Sequence, residues 1–307
     1  MGPRVVVDAV LALQAQRPSP IVPASAGAGL PRWVGAVDRV VAASLTGDDG
    51  AMAAAVVDAG ARGARVVGVG PPDTPLAAAV AHARGTLVTV DRPPHARLGL
   101  WPMLIGAAAA VANGAEPAGG DPSMTAPERA AGVLDEVAIA SRPDRDMFVN
   151  PAKQLAVQLA SSRPVALTTS PLSAAAAGRF AEMTLAAGEP VAVAAFEPAH
   201  ALGVLGGPFA PLSAPDDIFR DPFDEPEEPT AHLVVLEDVS APPALPAAVD
   251  SWGRFRVGVT SLAPDPELTD PLSRLAYWVG ALDFASAYLA VLNGVDPGRR
   301  LDQMWRQ

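Results

Sequence analysis

The sequence VDRVVAASLTGDDGAMAAAVVDAGARGARVVGVG at residues 37–70 indicates the fold class of this chain. Val37–Ser44 is typical of a buried strand, and it is followed by the polar turn Leu45–Gly50. Ala51–Gly60 then predicts a helix that ends at a glycine, and Ala64–Val69 predicts a second strand. A strand, a helix and a strand in this order predict a βαβ unit, in which the two strands are parallel.

The same alternation of apolar strands and Ala-rich helices continues along the chain. Further strands are predicted at Thr86–Val90, Pro164–Thr169, Pro190–Ala195, His232–Glu237 and Phe255–Thr260. Further helices are predicted at Thr74–Arg84, Leu98–Asn113, Thr125–Ala140, Pro151–Ser161, Pro171–Ala187, Pro243–Ser251 and Pro271–Asn293, the last followed by Gly294 as a terminal glycine. This pattern predicts an α/β protein whose parallel sheets are covered by helices on both faces.

The polar segment Ser141–Asn150 divides the pattern into two similar halves. We therefore predict two three-layer αβα domains with parallel sheets, over residues 1–145 and 146–307. The Pro-rich, acidic segment Leu212–Thr230 is predicted to be a mobile loop. The tail Arg299–Gln307 is predicted to dock on a partner or on the body of the protein.

Composition restricts the class of protein. The 307 residues are 50% hydrophobic and 18% charged, so the chain can bury a large core. No apolar run reaches the ~20 residues of a membrane span, and the N-terminus lacks the apolar core of a signal peptide. We therefore expect a soluble, cytoplasmic protein without a membrane partner.

Charge and residue types restrict the ligands. The net charge of −11 argues against a nucleic-acid partner, because such binding depends on clustered basic residues. The absence of cysteine excludes disulfides and thiolate metal ligands. The four histidines, which lie far apart, are His82, His95, His200 and His232. They lack the spacing of metal ligands, so we expect no metal and no other cofactor.

Ligands of parallel α/β sheets bind beyond the carboxyl ends of the strands, near helix N-termini. Four loops fit this description: Ser44–Ala51, Gly68–Thr74, Thr168–Ser173 and Ala195–His200. Hydroxyl and backbone N–H groups in the first and third loops could hold a phosphate. The alternative is that Thr46, Asp48, Thr169 and Ser170 simply cap helices. Asp48 and Asp49 would also repel an anion.

Three segments carry a family resemblance. Asn150–Ala156 reads NPAKQLA, Leu282–Pro297 reads LDFASAYLAVLNGVDP, and residues 93–101 read PPHARLGLW. Together they resemble the bifunctional phosphoglucose/phosphomannose isomerase family, whose closing pattern is G-D-F-x-S-Y-Y-L…G-V-D-P and which also has a P-P-R-x-x-L-G-Y stretch. That family is built from two sugar isomerase (SIS) domains. The resemblance therefore implies two SIS-type domains and a role in carbohydrate metabolism.

The family interconverts aldose and ketose 6-phosphates through a cis-enediol, by acid–base chemistry with electrostatic support. By this resemblance, His200 would assist ring opening and Arg97 would stabilise the enediolate. The base would be Glu189, with Glu182 as the other nearby carboxylate. The substrate-binding residues would be the hydroxyl-bearing Ser44, Thr46, Thr74, Thr168 and Ser170. Structural explanations stay open: a local hydrogen bond for His200, a solvated charge for Glu189 and an ion pair for Arg97.

We therefore predict a sugar-phosphate-binding protein that isomerises hexose 6-phosphates, either glucose 6-phosphate or mannose 6-phosphate. One alternative is a catalytically silent SIS-fold sensor or scaffold that still binds a sugar phosphate. Another is a dimerisation partner without a ligand. A homodimer is predicted from the aromatic and apolar residues Tyr277, Trp278, Phe284, Tyr288 and Leu292, which lie on several sides of the last helix. They are too many for one neighbouring layer to cover.

Overall fold

A computed structural model describes residues 3–15, 21–24, 26–94, 96–112, 124–196, 230–253 and 257–296. It confirms the prediction of an α/β protein with parallel sheets. The chain divides into two compact units, Met1–Pro117 and Ala118–Gln307, each with its own sheet. The predictions for the acidic loop and for the tail concern residues 212–229 and 299–307, which lie outside the described residues.

The first unit contains a three-stranded parallel sheet in the order β1-β2-β3. Its elements are α1 (Pro3–Leu13), β1 (Arg39–Ala43), α2 (Gly50–Ala61), β2 (Arg65–Gly70), α3 (Pro75–His82), β3 (Thr86–Thr89) and α4 (Leu100–Ala112). The strands and helices predicted in this part of the chain are present, with ends that differ from the predicted ones by at most two residues. The core between the sheet and helices α2 and α3 contains Val56, Ala59, Val66 and Leu76.

Helix α1 is absent from the sequence-based prediction. Its buried residues are Val5, Val6, Ala9 and Val10. Residues at this spacing share one helix face, so the amphipathic pattern was present in the sequence. This face packs toward α4, which is the fourth helix of the same unit.

The second unit contains a four-stranded parallel sheet in the order β5-β4-β6-β7. Its elements are α5 (Ala126–Ala140), α6 (Pro151–Ala160), β4 (Ser162–Thr168), α7 (Pro171–Ala186), β5 (Ala192–Ala195), β6 (Thr230–Leu236), α8 (Leu245–Gly253), β7 (Gly258–Leu262) and α9 (Pro271–Leu292). Strand β4 lies between β5 and β6, and its residues from Pro164 to Thr168 are buried. In open parallel α/β sheets, ligands generally bind beyond the carboxyl ends of the strands.

Helix α9 is the core helix of the second unit. It packs against α5, α6 and α7, and Trp278 and Leu282 are fully buried. Gly294 follows the helix at φ +61°, and the N–H of Val295 donates to the carbonyl of Ala290 at 2.8 Å, as predicted for a terminal glycine. By length and composition α9 could cross a membrane, but more than half of its apolar window is buried. Such burial is typical of the core helix of a soluble protein.

Partners within the chain engage two of the five side chains on which the predicted homodimer depended, whereas Leu292 is exposed. The indole N–H of Trp278 donates to the carbonyl of Leu262 at 2.8 Å. The hydroxyl of Tyr288 donates to the carbonyl of Ser141 at 2.6 Å. Three helices pack against α9, but Leu292 and the neighbouring Val291 stay exposed at its end, at 54% and 75%. The homodimer stays a prediction.

The two units divide at Pro117, before α5, whereas the predicted boundary follows α5. Helix α5 packs against α9, and Gly280 allows a close approach because a Cβ there would lie 3.2 Å from a methyl of Val137. An amphipathic helix such as α5 has the same sequence pattern whichever core it joins, so the sequence could not assign it. The predicted domains 1–145 and 146–307, and their two-domain SIS architecture, stay predictions.

Candidate functional sites at the strand ends

The carboxyl edge of the first sheet brings together three of the predicted substrate-binding residues. Ser44 follows β1, and its Oγ accepts a hydrogen bond from the N–H of Gly47 at 3.0 Å. Thr46 is exposed in the same turn. Thr74 lies in the next loop, where its Oγ1 donates to the carbonyl of Pro71 at 3.0 Å. The Ser44 hydroxyl oxygen and the Thr74 hydroxyl proton are thus already hydrogen-bonded to groups within these loops.

These two loops interlock at Gly47. The N–H of Leu76 donates to the carbonyl of Gly47 at 3.0 Å. Gly47 has φ +71°, and a Cβ at this position would lie 2.4 Å from Oγ1 of Thr74. A glycine is therefore required both by the left-handed backbone and by the close contact.

Helix α2 already has an anionic group at its N-terminus. The carboxylate of Asp49 accepts from the backbone N–H groups of Ala51 at 2.9 Å and Met52 at 3.1 Å. Nearby, Arg92 donates to the carbonyl of Thr46 at 2.8 Å and lies 3.3 Å from the carboxylate of Asp48. The N-terminus of α2 is thus capped by the carboxylate of Asp49, and the substrate-binding roles of Ser44, Thr46 and Thr74 stay predictions.

The carboxyl edge of the second sheet carries a different set of groups, chiefly hydroxyls. Thr168 ends β4 and is buried, and its Oγ1 donates to the carbonyl of Ala194 at 3.3 Å. Ser170 caps α7: its Oγ accepts from the N–H of Ser173 at 3.1 Å. The Oγ of buried Ser173 in turn accepts from the N–H groups of Thr169 and Ser170, both at 3.0 Å. Of these hydroxyls, that of the half-buried Ser170 has the proton most available to a ligand, since its bond to Oγ of Ser173 is long, at 3.3 Å, and Thr168, whose bond is equally long, is buried.

Two charged residues at the same edge were missed by the sequence analysis. Asp238 follows β6, and its N–H donates to Oγ1 of Thr169 at 2.8 Å. The carboxylate of Asp238 lies 3.4 Å from Nε of Arg274, in the first turns of α9. Asp238 stands directly beyond a predicted strand in the segment HLVVLED, so the rule that selected Thr168 would have selected it too.

The structure does not bring Glu189 together with the Ser170 loop. Glu189 follows the end of α7, whereas Ser170 precedes its start. The helix has 16 residues. At 1.5 Å per residue, its ends lie about 24 Å apart. Burial raises the pKa of the Glu189 carboxyl, but the residue lies at the amino edge of the sheet, beside an open groove lined by Ala181, Glu182, Leu185, Pro190 and Val191.

The remaining predicted catalytic residues lie outside what the structure describes. His200 belongs to residues 197–229, which are not described, and the same holds for the side chain of Arg97 in the 3₁₀ turn Ala96–Gly99. Their catalytic roles stay predictions. Among the described residues, no group of three or more His, Asp or Glu side chains could hold a metal ion.

The chain was compared with protein families and known proteins. Residues 148–300 match the model of the family described as bacterial phospho-glucose isomerase C-terminal SIS domain. This range includes every strand of the second sheet and the Ser170 loop. No curated protein sequence matches the chain.

Solved structures with a similar fold cover nearly the whole chain. Tagatose-6-phosphate ketose/aldose isomerase from Escherichia coli matches with a TM-score of 0.58 and 13% identity, over 97% of this chain and 82% of that chain. The C-terminal domain of glucosamine-fructose-6-phosphate aminotransferase from Francisella tularensis matches at 0.56 and 11%, over 96% and 84%. Glucosamine-6-phosphate deaminase from Thermotoga maritima matches at 0.52 and 12%, over 95% and 77%. At these identities the similarity shows the fold alone.

The parallel sheets, and the hydroxyl-rich loop at the end of a central strand, define an α/β protein with the fold of phosphosugar isomerases. The family match and the structural neighbours together support an SIS-domain sugar isomerase family. The finer resemblance to bifunctional phosphoglucose/phosphomannose isomerases stays a prediction.

Proposed function

We propose that this protein binds a sugar phosphate at the carboxyl edge of the second sheet. The observation that carries the proposal is the loop Thr168–Ser173, which brings the hydroxyl of Ser170 to the N-terminus of α7 within the range that matches the SIS family. A helix N-terminus favours negative charge, and hydroxyls beside it can donate to phosphate oxygens. Unlike α2, helix α7 is capped by a neutral side chain and has no acidic residue in its first turn, so its own N-terminus carries no carboxylate that competes with a phosphate.

The specific reaction that we propose is the aldose–ketose isomerisation of hexose 6-phosphates through a cis-enediol. It requires a base that moves a proton between C1 and C2 of the sugar. Glu189, His200 and Arg97 are the proposed catalytic residues, as implied by the family resemblance. The proposal for Glu189 requires a substrate at the amino edge of the sheet, next to the groove that contains Glu182 and Leu185.

A second candidate is a catalytically silent sugar-phosphate sensor or scaffold. The position of Glu189 favours it, because about 24 Å of helix α7 separate this carboxyl from Ser170. One ligand molecule cannot contact both residues. Binding without turnover is the expected behaviour if the base is absent from the phosphate site.

Calorimetric titration with fructose 6-phosphate, glucose 6-phosphate and mannose 6-phosphate tests the binding proposal, and an isomerase assay on the same sugars separates the two candidates. The decisive variant is Ser170→Asp, because aspartate keeps the helix cap but adds a charge that repels phosphate. Ser161→Asp is the matched control, since Ser161 is exposed at the far end of α6. We expect loss of binding in the first variant and unchanged binding in the control. If the wild-type protein binds none of the three sugars, the proposal is wrong.

A further inference from the structure

Arg274, in the first turns of α9, is an enclosed arginine whose guanidinium is not fully hydrogen-bonded. Its side chain is only 11% exposed, and its Nε atom is buried without a hydrogen-bond acceptor. Its contact with Asp238, at 3.4 Å, is an ion pair rather than a hydrogen bond. To the residues that the structure describes, the Arg274 guanidinium makes no hydrogen bond. Leaving the donors of so enclosed a guanidinium without acceptors is costly, so an acceptor beyond the described residues is indicated.

A second arginine of the same unit shows what a structural ion pair looks like in this protein. Arg179 is 3% exposed, and it donates to both carboxylate oxygens of Asp283, at 3.0 Å from Nε and 2.7 Å from Nη2. This two-bond geometry uses one edge of the guanidinium fully. Arg274 and Asp238 lack that geometry although only 11% and 5% of their side chains are exposed, so their pairing does not satisfy the guanidinium in the same way.

The position of Arg274 relates it to the Ser170 loop. Trp278, one helical turn further along α9, donates to the carbonyl of Leu262 at the carboxyl end of β7. Arg274 therefore lies at or beyond the strand ends. Asp238 links it to the loop, because the N–H of Asp238 donates to Oγ1 of Thr169, and that hydroxyl donates to the carbonyl of Leu236 at 2.9 Å.

The ligand chemistry follows from the groups at this edge. Thr169 is occupied by the hydrogen bonds that join β4 to β6. Ser170 offers one hydroxyl and no charge. A guanidinium adds a full positive charge to the N-terminus of α7, and its planar fork matches two phosphate oxygens. Asp238 lies on the Nε side of Arg274 and can hold the guanidinium in place while its Nη groups face the ligand.

We infer that Arg274 is the phosphate-binding cation of the second sheet and that Asp238 is its positioning residue. This inference rests on the proposed function, because it assigns the charged contact of the same sugar-phosphate site. The protein would then recognise chiefly the phosphate group, and the sugar would contribute less to the affinity.

The test measures binding of two probes, inorganic phosphate and fructose 6-phosphate, by calorimetry. In Arg274→Lys the charge remains but the two-pronged geometry is lost. In the double variant Arg274→Met with Asp238→Asn both charges are removed, so no unpaired carboxylate is left buried to unfold the protein. Arg142→Met is the matched control, because Arg142 is exposed and pairs with Asp144 in the same unit. Far-UV circular dichroism verifies that each variant is folded.

We expect both Arg274 variants to bind both probes roughly ten- to a hundredfold more weakly, as for loss of a charge-assisted contact, and the control to bind normally. Equal affinity of the wild type and both Arg274 variants for fructose 6-phosphate would overturn the inference and leave the proposed function standing. Binding of inorganic phosphate alone, lost in both Arg274 variants, would support Arg274 and overturn the sugar-phosphate proposal. Absence of binding of either probe to the wild type would overturn both.

Discussion

Replacing Gly47 by alanine should destabilise the first unit more than replacing Gly29, although the two glycines have almost the same backbone conformation. Their φ angles are +71° and +74°. A Cβ at position 29 meets nothing within 4 Å, whereas at position 47 it lies 2.4–2.8 Å from three side-chain atoms of Thr74. The pair therefore separates the cost of a left-handed alanine from the cost of a close contact.

The expected magnitudes follow from these two terms. An alanine in the left-handed region costs about 1 kcal/mol, and this is the whole effect expected for Gly29→Ala. Gly47→Ala adds the displacement of the Thr74 side chain, which corresponds to overpacking and costs about 2 kcal/mol more. Thr74 also caps α3 through the N–H of Ala77, so the displacement weakens the start of that helix.

A double-mutant cycle with Thr74→Gly identifies the contact. Glycine at a helix cap costs only a few tenths of a kcal/mol relative to threonine, and it leaves space for a Cβ at position 47. In that background Gly47→Ala should cost the same as Gly29→Ala, a coupling of about 2 kcal/mol. Urea denaturation followed by far-UV circular dichroism measures the free energies of unfolding. Equal losses for Gly47→Ala and Gly29→Ala in the wild-type background would refute the reasoning.

Three further predictions concern charged or titrating groups. Burial lowers the pKa of His232, whose Nε2 lies 2.9 Å from Oγ1 of Thr260, so the unfolded chain binds the proton more readily. The free energy of unfolding should therefore fall as the pH decreases below about 6.5, and His232→Gln should reduce this pH dependence in urea denaturation. Arg179→Met should lower the free energy of unfolding by about 3 kcal/mol, because it leaves the carboxylate of Asp283 without its partner. Asp49→Ala should cost about 1 kcal/mol through loss of the α2 cap, whereas Asp49→Ser should cost little, as measured by thermal denaturation.

Each of these predictions has an outcome that contradicts it. An unchanged pH dependence in His232→Gln would assign the acid sensitivity to other groups. Arg179→Met with Asp283→Leu should recover much of the lost stability, since both charges are then absent. Failure of that recovery would indicate that packing of the Arg179 side chain matters more than its charge. Equal stability of Asp49→Ala and Asp49→Ser would exclude the capping role.

The alternation of strands and helices could be read from the sequence because it depends on local patterns. Apolar β-branched runs gave the strands, and capping residues such as Thr74 and Ser170 gave the helix starts. The amphipathic spacing of helix α1 is a local pattern of the same kind. The order β5-β4-β6-β7 could not be read, because pairing between strands depends on contacts distant in sequence.

In the candidate site, too, local features could be predicted from the sequence and contacts between distant residues could not. The hydroxyl loop after β4 was predicted because it is a local feature. The pairing of Asp238 with Arg274 joins residues far apart in the chain, and one sequence does not reveal it. The distance between Ser170 and Glu189 was predictable, however. A helix that begins at the carboxyl edge of a parallel sheet must end at the amino edge, so Glu189 could have been separated from Ser170 in advance.

The central position of α9 determines how the chain can fold during synthesis. The described elements of the first unit are complete once residue 112 has been made, so this unit can fold early. Helices α5, α6 and α7 must wait for α9, which ends at Leu292. At about 5–20 residues per second, the ribosome needs roughly 10–30 s to add the ~150 residues between the end of α5 and the end of α9. During this interval the apolar faces of α5, α6 and α7 that pack against α9 have no partner. Chaperones would have to protect these surfaces.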